Sequence, residues 1–238
     1  MNRLLNGVVR ATVESFPLPE PILEIGSYQV ERQEDLVNLR GLFPGRAYVG
    51  VDFRPGPGVD CVASVEALPQ ADASVGTVIA YNLFEHVRRF WVGFAEARRV
   101  LRPDGVLLVA CPFYFHVHAY PSDYWRFTPE AFDFLLADYP TRVLGWNGPP
   151  RRPLFVWAAA FREACTAFTP QRFALYRDLL ARYAREPLPW ARRLRYRVGR
   201  VVSGRRPFAP HLDRERIETV VRSGWVGELP AEGEARAA

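Results

Sequence analysis

The chain has no lysine: all 31 of its basic residues are arginine. That excludes Schiff-base catalysis by a lysine amine, and the bias itself is a matter of composition rather than function. Cysteine is scarce as well. Cys61, Cys111 and Cys165 are odd in number, far apart and without metal-ligand spacing, and the first two fall in strand-like runs. This excludes a disulfide framework and points to reduced thiols in a reducing compartment. Long apolar runs are missing too. Nothing approaches the roughly eighteen residues of a spanning helix, and Met1 to Phe16 is broken by Asn6, Arg10 and Glu14 where a signal peptide would be apolar. The expectation is a soluble, cytoplasmic protein whose 238 residues can bury one substantial core.

Acid is absent from one stretch. Residues 187–210 hold the seven arginines Arg192, Arg193, Arg195, Arg197, Arg200, Arg205 and Arg206, while the whole chain carries a formal charge of +5, so the remainder is slightly negative. A basic balance this local argues against a nucleic-acid-coating protein. In a helix over about 189–203, Trp190, Leu194, Val198, Val201 and Val202 share an arc, Arg192, Arg193, Arg197 and Arg200 take the other side, and Gly199 weakens the helix. Two roles stay open for the 190–206 arginine segment. It is either a cover for the core with a solvated face, or a surface for an anionic membrane or a phosphorylated substrate, which would make the protein peripherally membrane-associated.

What the chain does have is alternation of short apolar runs with helical pattern. Leu4, Leu5, Val8, Val9 and Val13 repeat at helical spacing before Pro17, Pro19 and Pro21. Strands are expected at about 21–26, 47–52, 59–63, 75–81 and 106–111, with helices over 31–42 and 87–101 and a turn at Arg102–Gly105. Thr128 and Pro129 open a helix to about Ala137 as N-cap and first helical residue. Residues 141–146 and 154–161 suit an antiparallel strand pair, although 155–168 also fits a buried helix. The fold class is α/β with a doubly wound, mostly parallel sheet. After Glu163 the pattern turns helical, with stripes at 173–183, 189–203 and 213–222 and a Glu/Ala-rich tail from Pro230 that is expected to be disordered. This divides the chain into a domain over residues 1–163 and an arginine-rich helical extension over 164–238.

In parallel sheets of this kind ligands bind at the carboxyl ends of the strands, and that is where this chain puts its glycines and acids. The series runs Glu24-Ile25-Gly26-Ser27, Val49-Gly50-Val51-Asp52, Glu66-Ala67-Leu68-Pro69, Glu85-His86-Val87, Leu101-Arg102-Pro103-Asp104-Gly105 and Asp123-Tyr124-Trp125-Arg126-Phe127-Thr128-Pro129-Glu130. In order and wording it resembles the class I S-adenosylmethionine-dependent methyltransferases of small-molecule type, over about residues 20–163. The resemblance implies a Rossmann-like sheet of seven strands and S-adenosylmethionine as cofactor. It places Glu24, Gly26, Ser27 and Tyr28 at the cofactor's amino-acid end, Asp52 and Phe53 at the ribose, Ser64, Val65, Glu66 and Leu68 at the adenine, and Asn82 near the methyl. Four positions depart from the family pattern. Tyr28 and Val30 stand where glycines are frequent, Ser64 where an Asp usually accepts from the adenine amino group, and Gly76 where an acid is common.

Asp52 also suits an ordinary strand-end cap, and His86 a histidine packed at a helix start. His86, His116 and His118 are nonetheless the catalytic candidates, because imidazole titrates near neutrality. Tyr114, His116, His118, Asp123, Tyr124 and Trp125 are the expected acceptor wall. A His-x-His with a nearby Asp can bind metal, but it lacks a companion set, so no metal is expected. The reading is methyl transfer to an oxygen or nitrogen of a small molecule such as a metabolite, glycan precursor or natural product. The alternatives are a non-catalytic protein that kept the fold for binding a partner and, third, a nucleic-acid methyltransferase, with nucleic acid not favoured and self-association or a protein partner left open.

Overall fold

The computed structural model describes residues 3–30, 38–118, 121–163, 168–184, 190–202 and 216–223. Helix α1 (Arg3–Ser15) buries Leu4, Leu5, Val8, Val9 and Ala11, the face that its helical repeat marks out. Its crossing with α4 (Pro170–Tyr183) is close. A Cβ at Gly7 would lie 2.5 Å from the backbone of Tyr183, so only glycine fits there.

The sheet has eight strands: β1 (Ile22–Ile25), β2 (Tyr48–Asp52), β3 (Cys61–Val62), β4 (Val75–Tyr81), β5 (Leu101–Pro112), β6 (Thr141–Asn147), β7 (Phe155–Phe161) and β8 (Ile217–Ser223), in the order 3-2-1-4-5-7-6-8. The first five run parallel and the last three pair antiparallel. Both faces are covered, as a parallel core requires. One face carries Leu23, Val78, Leu107 and Val109 with Phe94 of α2 (Phe90–Val100) and Phe132 of α3 (Pro129–Leu135). The other carries Ile22, Ile79 and Leu108 with Leu5 of α1 and Tyr176 of α4. The order in which strands are added reverses between β1 and β4, which opens a crevice at their carboxyl ends.

Several expectations are met and several corrected. Thr128 caps α3, its hydroxyl accepting the Ala131 N–H at 3.0 Å. Residues 155–161 are a strand, since Val106 to Pro112 of β5 pair with them along their whole length. Of the helix expected over 31–42, the structure shows a 3-10 turn at Leu39–Leu42, and residues 31–37 lie outside the described residues. Arg102–Gly105 is a bulge within β5 rather than a turn before it: β4 advances from Val75 to Thr77 while β5 advances from Leu101 to Val106. The helix expected over 213–222 is instead strand β8, antiparallel to β6. Ile217, Thr219 and Val221 alternate toward one side, β-branched side chains favour the pleat, and the edge of β6 would otherwise lie unpaired. The sheet therefore has one strand more than expected. Helix α5 (Trp190–Val202) follows the expected amphipathic stretch; the tail from Pro230 and Cys165 lie outside the described residues.

Candidate functional site

The crevice is built first by the turn after β1. Gly26 has φ +84° and the Leu83 side chain lies 3.4 Å from where its Cβ would be, so the chain turns in a conformation that glycine tolerates best. The Gly26 and Ser27 N–H groups both donate to the Val51 carbonyl, which ties the turn to β2. Ser27 faces inward, its hydroxyl buried against Gly50 and without a hydrogen-bond partner. The turn also leans on the loop after β2. The Tyr28 ring fills the space a side chain at Gly56 would need, 2.3 Å from the Cβ position, and the Arg54 guanidinium stacks 4.4 Å from the ring centroid. The facing loop thus supplies the room that Tyr28 occupies.

Two acids point into the crevice from β1 and β2. Asp52 is 6% exposed; its carboxylate accepts the Arg54 N–H at 3.0 Å and the Tyr28 N–H at 3.4 Å. Glu24 accepts the Tyr48 hydroxyl at 2.7 Å. Burial pushes its carboxyl up to about 7, against the pull of the Tyr48 hydrogen bond and the Arg40 charge.

The third contribution follows β4. Asn82 holds φ +52°, an αL conformation Asn tolerates better than most residues, and its side-chain oxygen is buried without a partner. Phe84–His86 then make a 3-10 turn anchored by Phe84, whose ring stacks on Phe94 at 4.0 Å. Glu85 is wholly buried, neither carboxylate oxygen has a hydrogen-bond partner, and burial pushes it up to about 7. Its own backbone carbonyl pins the loop after β5, accepting the N–H groups of Tyr124 at 2.7 Å and Trp125 at 3.2 Å.

That loop brings a second histidine to the first. The His86 and His118 rings meet edge to face with centroids 4.8 Å apart. His86 Nδ1 lies 2.7 Å from the Ser122 carbonyl, which can only accept, so Nδ1 carries the proton and Nε2 keeps its lone pair. Burial holds the His86 pKa down. His118 Nδ1 lies 2.9 Å from Asp123, whose carboxylate is gripped by both terminal nitrogens of Arg126 and held well below the usual range.

The crevice has two chambers. The larger, about 530 Å³, is lined by Glu24, Gly26, Tyr28, Asp52, Asn82, Glu85, His86, His118 and the aromatics Phe115 and Phe155, among others. The smaller, about 270 Å³, is lined by Ala63, Ser64, Val65, Glu66, Val87 and Arg88 with their neighbours. Gly26, Asp52, Phe53, Leu83 and His86 border both, so the two form one cleft.

Most sequence-predicted residues therefore meet at one place, and seven do not line it. Ser27 is turned into the core, and Leu68 lies in the core beneath, its N–H donating to Glu96. His116 stacks outward on Phe115 at 4.2 Å and is exposed. Trp125 packs on Phe90 at 5.1 Å and donates from its indole to the Val87 carbonyl, while Tyr114 is absent from both linings. Asp123 supports His118 from behind, and Tyr124 is 48% exposed with its backbone tied to Glu85. Ser64 is in the smaller chamber, but its hydroxyl already accepts the Glu66 N–H at 3.1 Å. Gly76 lies away from the cleft: a Cβ there would stand 2.4 Å from the backbone of Pro19, so the position admits no side chain. Sequence reasoning missed Glu85. The available signal was an acid beside a histidine just after a buried strand; nothing local marks its burial.

Residues 29–109 match the family model described as a methyltransferase domain. Two curated relatives, uncharacterized methyltransferases of Mycobacterium ulcerans and Mycobacterium marinum, are each 38% identical over 78 residues, covering 28% of this chain and 31% of the relative. The matched stretch thus spans about a third of the length of those relatives. A SAM-dependent methyltransferase of Archaeoglobus fulgidus superposes with TM-score 0.51 at 14% identity, covering 66% of this chain and 93% of that one. A 1,6-didemethyltoxoflavin-N1-methyltransferase of Burkholderia thailandensis, solved with 1,6-didemethyltoxoflavin and S-adenosylhomocysteine bound, gives 0.50 at 16% identity, covering 67% and 77%. The fold is that of the class I methyltransferases. Within that fold, residues 29–109 carry the methyltransferase-domain pattern.

Proposed function

We propose that this protein transfers a methyl group from S-adenosylmethionine to an oxygen or nitrogen of a small molecule. The observation that carries the reading is the single two-chambered cleft at the sheet's crossover, with the Asp52 carboxylate at the junction of its chambers. The residues present suit such a cofactor. Asp52 offers two carboxylate oxygens to paired ribose hydroxyls, the smaller chamber between Val65 and Leu83 accommodates a flat base, and the unpartnered Asn82 oxygen and the Glu24 carboxyl offer acceptors to an amino-acid group.

When bound, the cofactor supplies an already activated methyl on its sulfonium, so the protein's tasks are to bind, to exclude water and to orient. Phe115 and Phe155 wall the larger chamber at the side away from Asp52's own strand, giving an acceptor apolar surface. His86, kept neutral by burial and with Nε2 free of the Ser122 hydrogen bond, is placed to accept a proton from an acceptor in that chamber. Support for a small acceptor is the chamber's volume, which lies within the range of small-molecule pockets.

Calorimetric titration with S-adenosylhomocysteine tests the reading. Wild-type protein should bind one equivalent, and Asp52→Ala should bind at least about tenfold more weakly, as expected for losing charge-assisted hydrogen bonds. Absence of binding to folded wild-type protein would overturn the reading in favour of a fold kept for scaffolding.

We also propose that α5 contacts an anionic membrane surface. Its support is a row at i, i+4 and i+8, Trp190, Leu194 and Val198, that is 77%, 53% and 52% exposed, beside the exposed Arg195 and Arg197.

A further inference from the structure

Glu85, His86 and His118 lie at the floor and side of the larger chamber, each offering one ligand atom, and these atoms are all within 4.8 Å of one another. We propose that they form a binding site for a divalent transition-metal ion, zinc being the best match, with its remaining coordination positions open to the cleft. Metal binding does not depend on the methyl-transfer reading; with the ion in place His86 Nε2 is a ligand rather than the proton acceptor, and the ion instead holds the acceptor's oxygen or nitrogen lone pair.

Four observations converge on the site. Two imidazoles and one carboxylate make a ligand set that zinc takes when it keeps an open position. Each imidazole already spends Nδ1 on an acceptor behind it, His86 on the Ser122 carbonyl at 2.7 Å and His118 on Asp123 at 2.9 Å. This leaves Nε2 of both as the unprotonated nitrogen, in the arrangement by which outer carboxylates and carbonyls orient metal-binding histidines. Asp123 is itself fixed by the two-pronged Arg126 contact, so the support extends one layer further out. Glu85 supplies the independent indication. It is fully buried, lines the chamber, and neither oxygen has a well-formed hydrogen bond, its nearby donors being the Cys111 thiol and its own backbone N–H.

The protein's own groups do not resolve that burial. His86 Nε2 is 3.8 Å from Glu85 Oε1, too far for a hydrogen bond. The neighbouring Cys111 thiol is buried, and a thiol is a weak donor. A tetrahedral ion with bonds of about 2.1 Å needs its ligand atoms about 3.4 Å apart, so a closing movement of roughly 1 Å by these side chains completes the site. Residues 116–118 are an exposed to half-buried stretch of the loop after β5, which makes His118 the ligand able to move.

The test uses full-length, untagged, chelator-treated protein titrated with zinc chloride in competition with a chromophoric chelator, and with cobalt chloride read by visible absorption. One equivalent of zinc should bind, and cobalt should give the intense d–d bands of a four- or five-coordinate site without a thiolate charge-transfer band. Glu85→Gln and His118→Ala should each weaken zinc binding by about a hundredfold, and the supporting Asp123→Asn by about 10–100-fold. S-adenosylhomocysteine affinity, measured on the same preparations, separates the two readings. If wild type binds zinc but no S-adenosylhomocysteine, the metal site stands and the methyl-transfer reading fails. Zinc affinity unchanged in the folded Glu85→Gln and His118→Ala variants, or no stoichiometric zinc in wild type, would overturn the site.

Discussion

Glu24 is the buried acid whose energetics can be worked furthest. Its carboxyl sits at the end of β1 with a single donor, the Tyr48 hydroxyl at 2.7 Å, and burial raises it from 4.5 to about 7. A carboxyl with a raised pKa in the folded state favours folding while protonated. Its contribution is full below the unfolded value and is lost as pH rises through 7, the folded chain holding a proton that the unfolded chain has released. Glu24→Gln keeps the shape and an acceptor for Tyr48 but cannot ionise. Between about pH 5 and about pH 8.5 the shift is worth about 2.5 kcal/mol, at roughly 1.4 kcal/mol per pKa unit. The variant should therefore gain about that much stability relative to wild type across the interval, being near wild type in acid and the more stable protein in alkali. Urea unfolding of chelator-treated wild type and variant at the two pH values measures it, and the difference between proteins cancels the slope due to every other group. A stability difference that stays constant with pH would mean that Glu24 is ionised and compensated throughout, and the argument from burial would be wrong.

The remaining predictions follow from steric fit and surface chemistry. Gly76→Asp should destabilise by about 1–3 kcal/mol or more, because its Cβ meets the Pro19 and Glu20 backbone; thermal unfolding reads it, and a neutral result would refute the contact. Sedimentation with vesicles containing anionic phosphatidylglycerol should retain the protein at low salt, release it at high salt, and lose at least about tenfold in affinity when Trp190, Leu194 and Val198 are all replaced by Ala. Equal retention of that triple variant would show that α5 is not the contact.

Much of this protein is written in local pattern. The apolar runs at β1, β2 and β4 and the cap at Thr128 were legible because a buried parallel strand and a helix start each leave a short, contiguous signature. Asp52 was legible for the same reason, since an acid closing a buried strand has few places to go but the strand's carboxyl end. Residues 217–223 show where such reasoning stops. Their apolar positions suit either period, and only the unpaired edge of β6, distant in sequence, decides for a strand.

Side-chain direction within the site was decided by tertiary structure. Ser27 and Gly26 are neighbours, yet one lines the cleft and the other is turned against Gly50, because both N–H groups are committed to the Val51 carbonyl. His116 and His118 are two residues apart and look equivalent in sequence. Asp123 and Arg126 draw His118 inward, while His116 stacks outward on Phe115. The identities of Asp52, Glu24 and the strand-end glycines were determined by the sequence alone. The meeting of Glu85, His86 and His118 was decided only when Tyr124 and Trp125 hydrogen-bonded to the Glu85 carbonyl and folded the loop after β5 back over the turn after β4. Contacts between segments some thirty residues apart depend on that closure, and no local period or propensity encodes it.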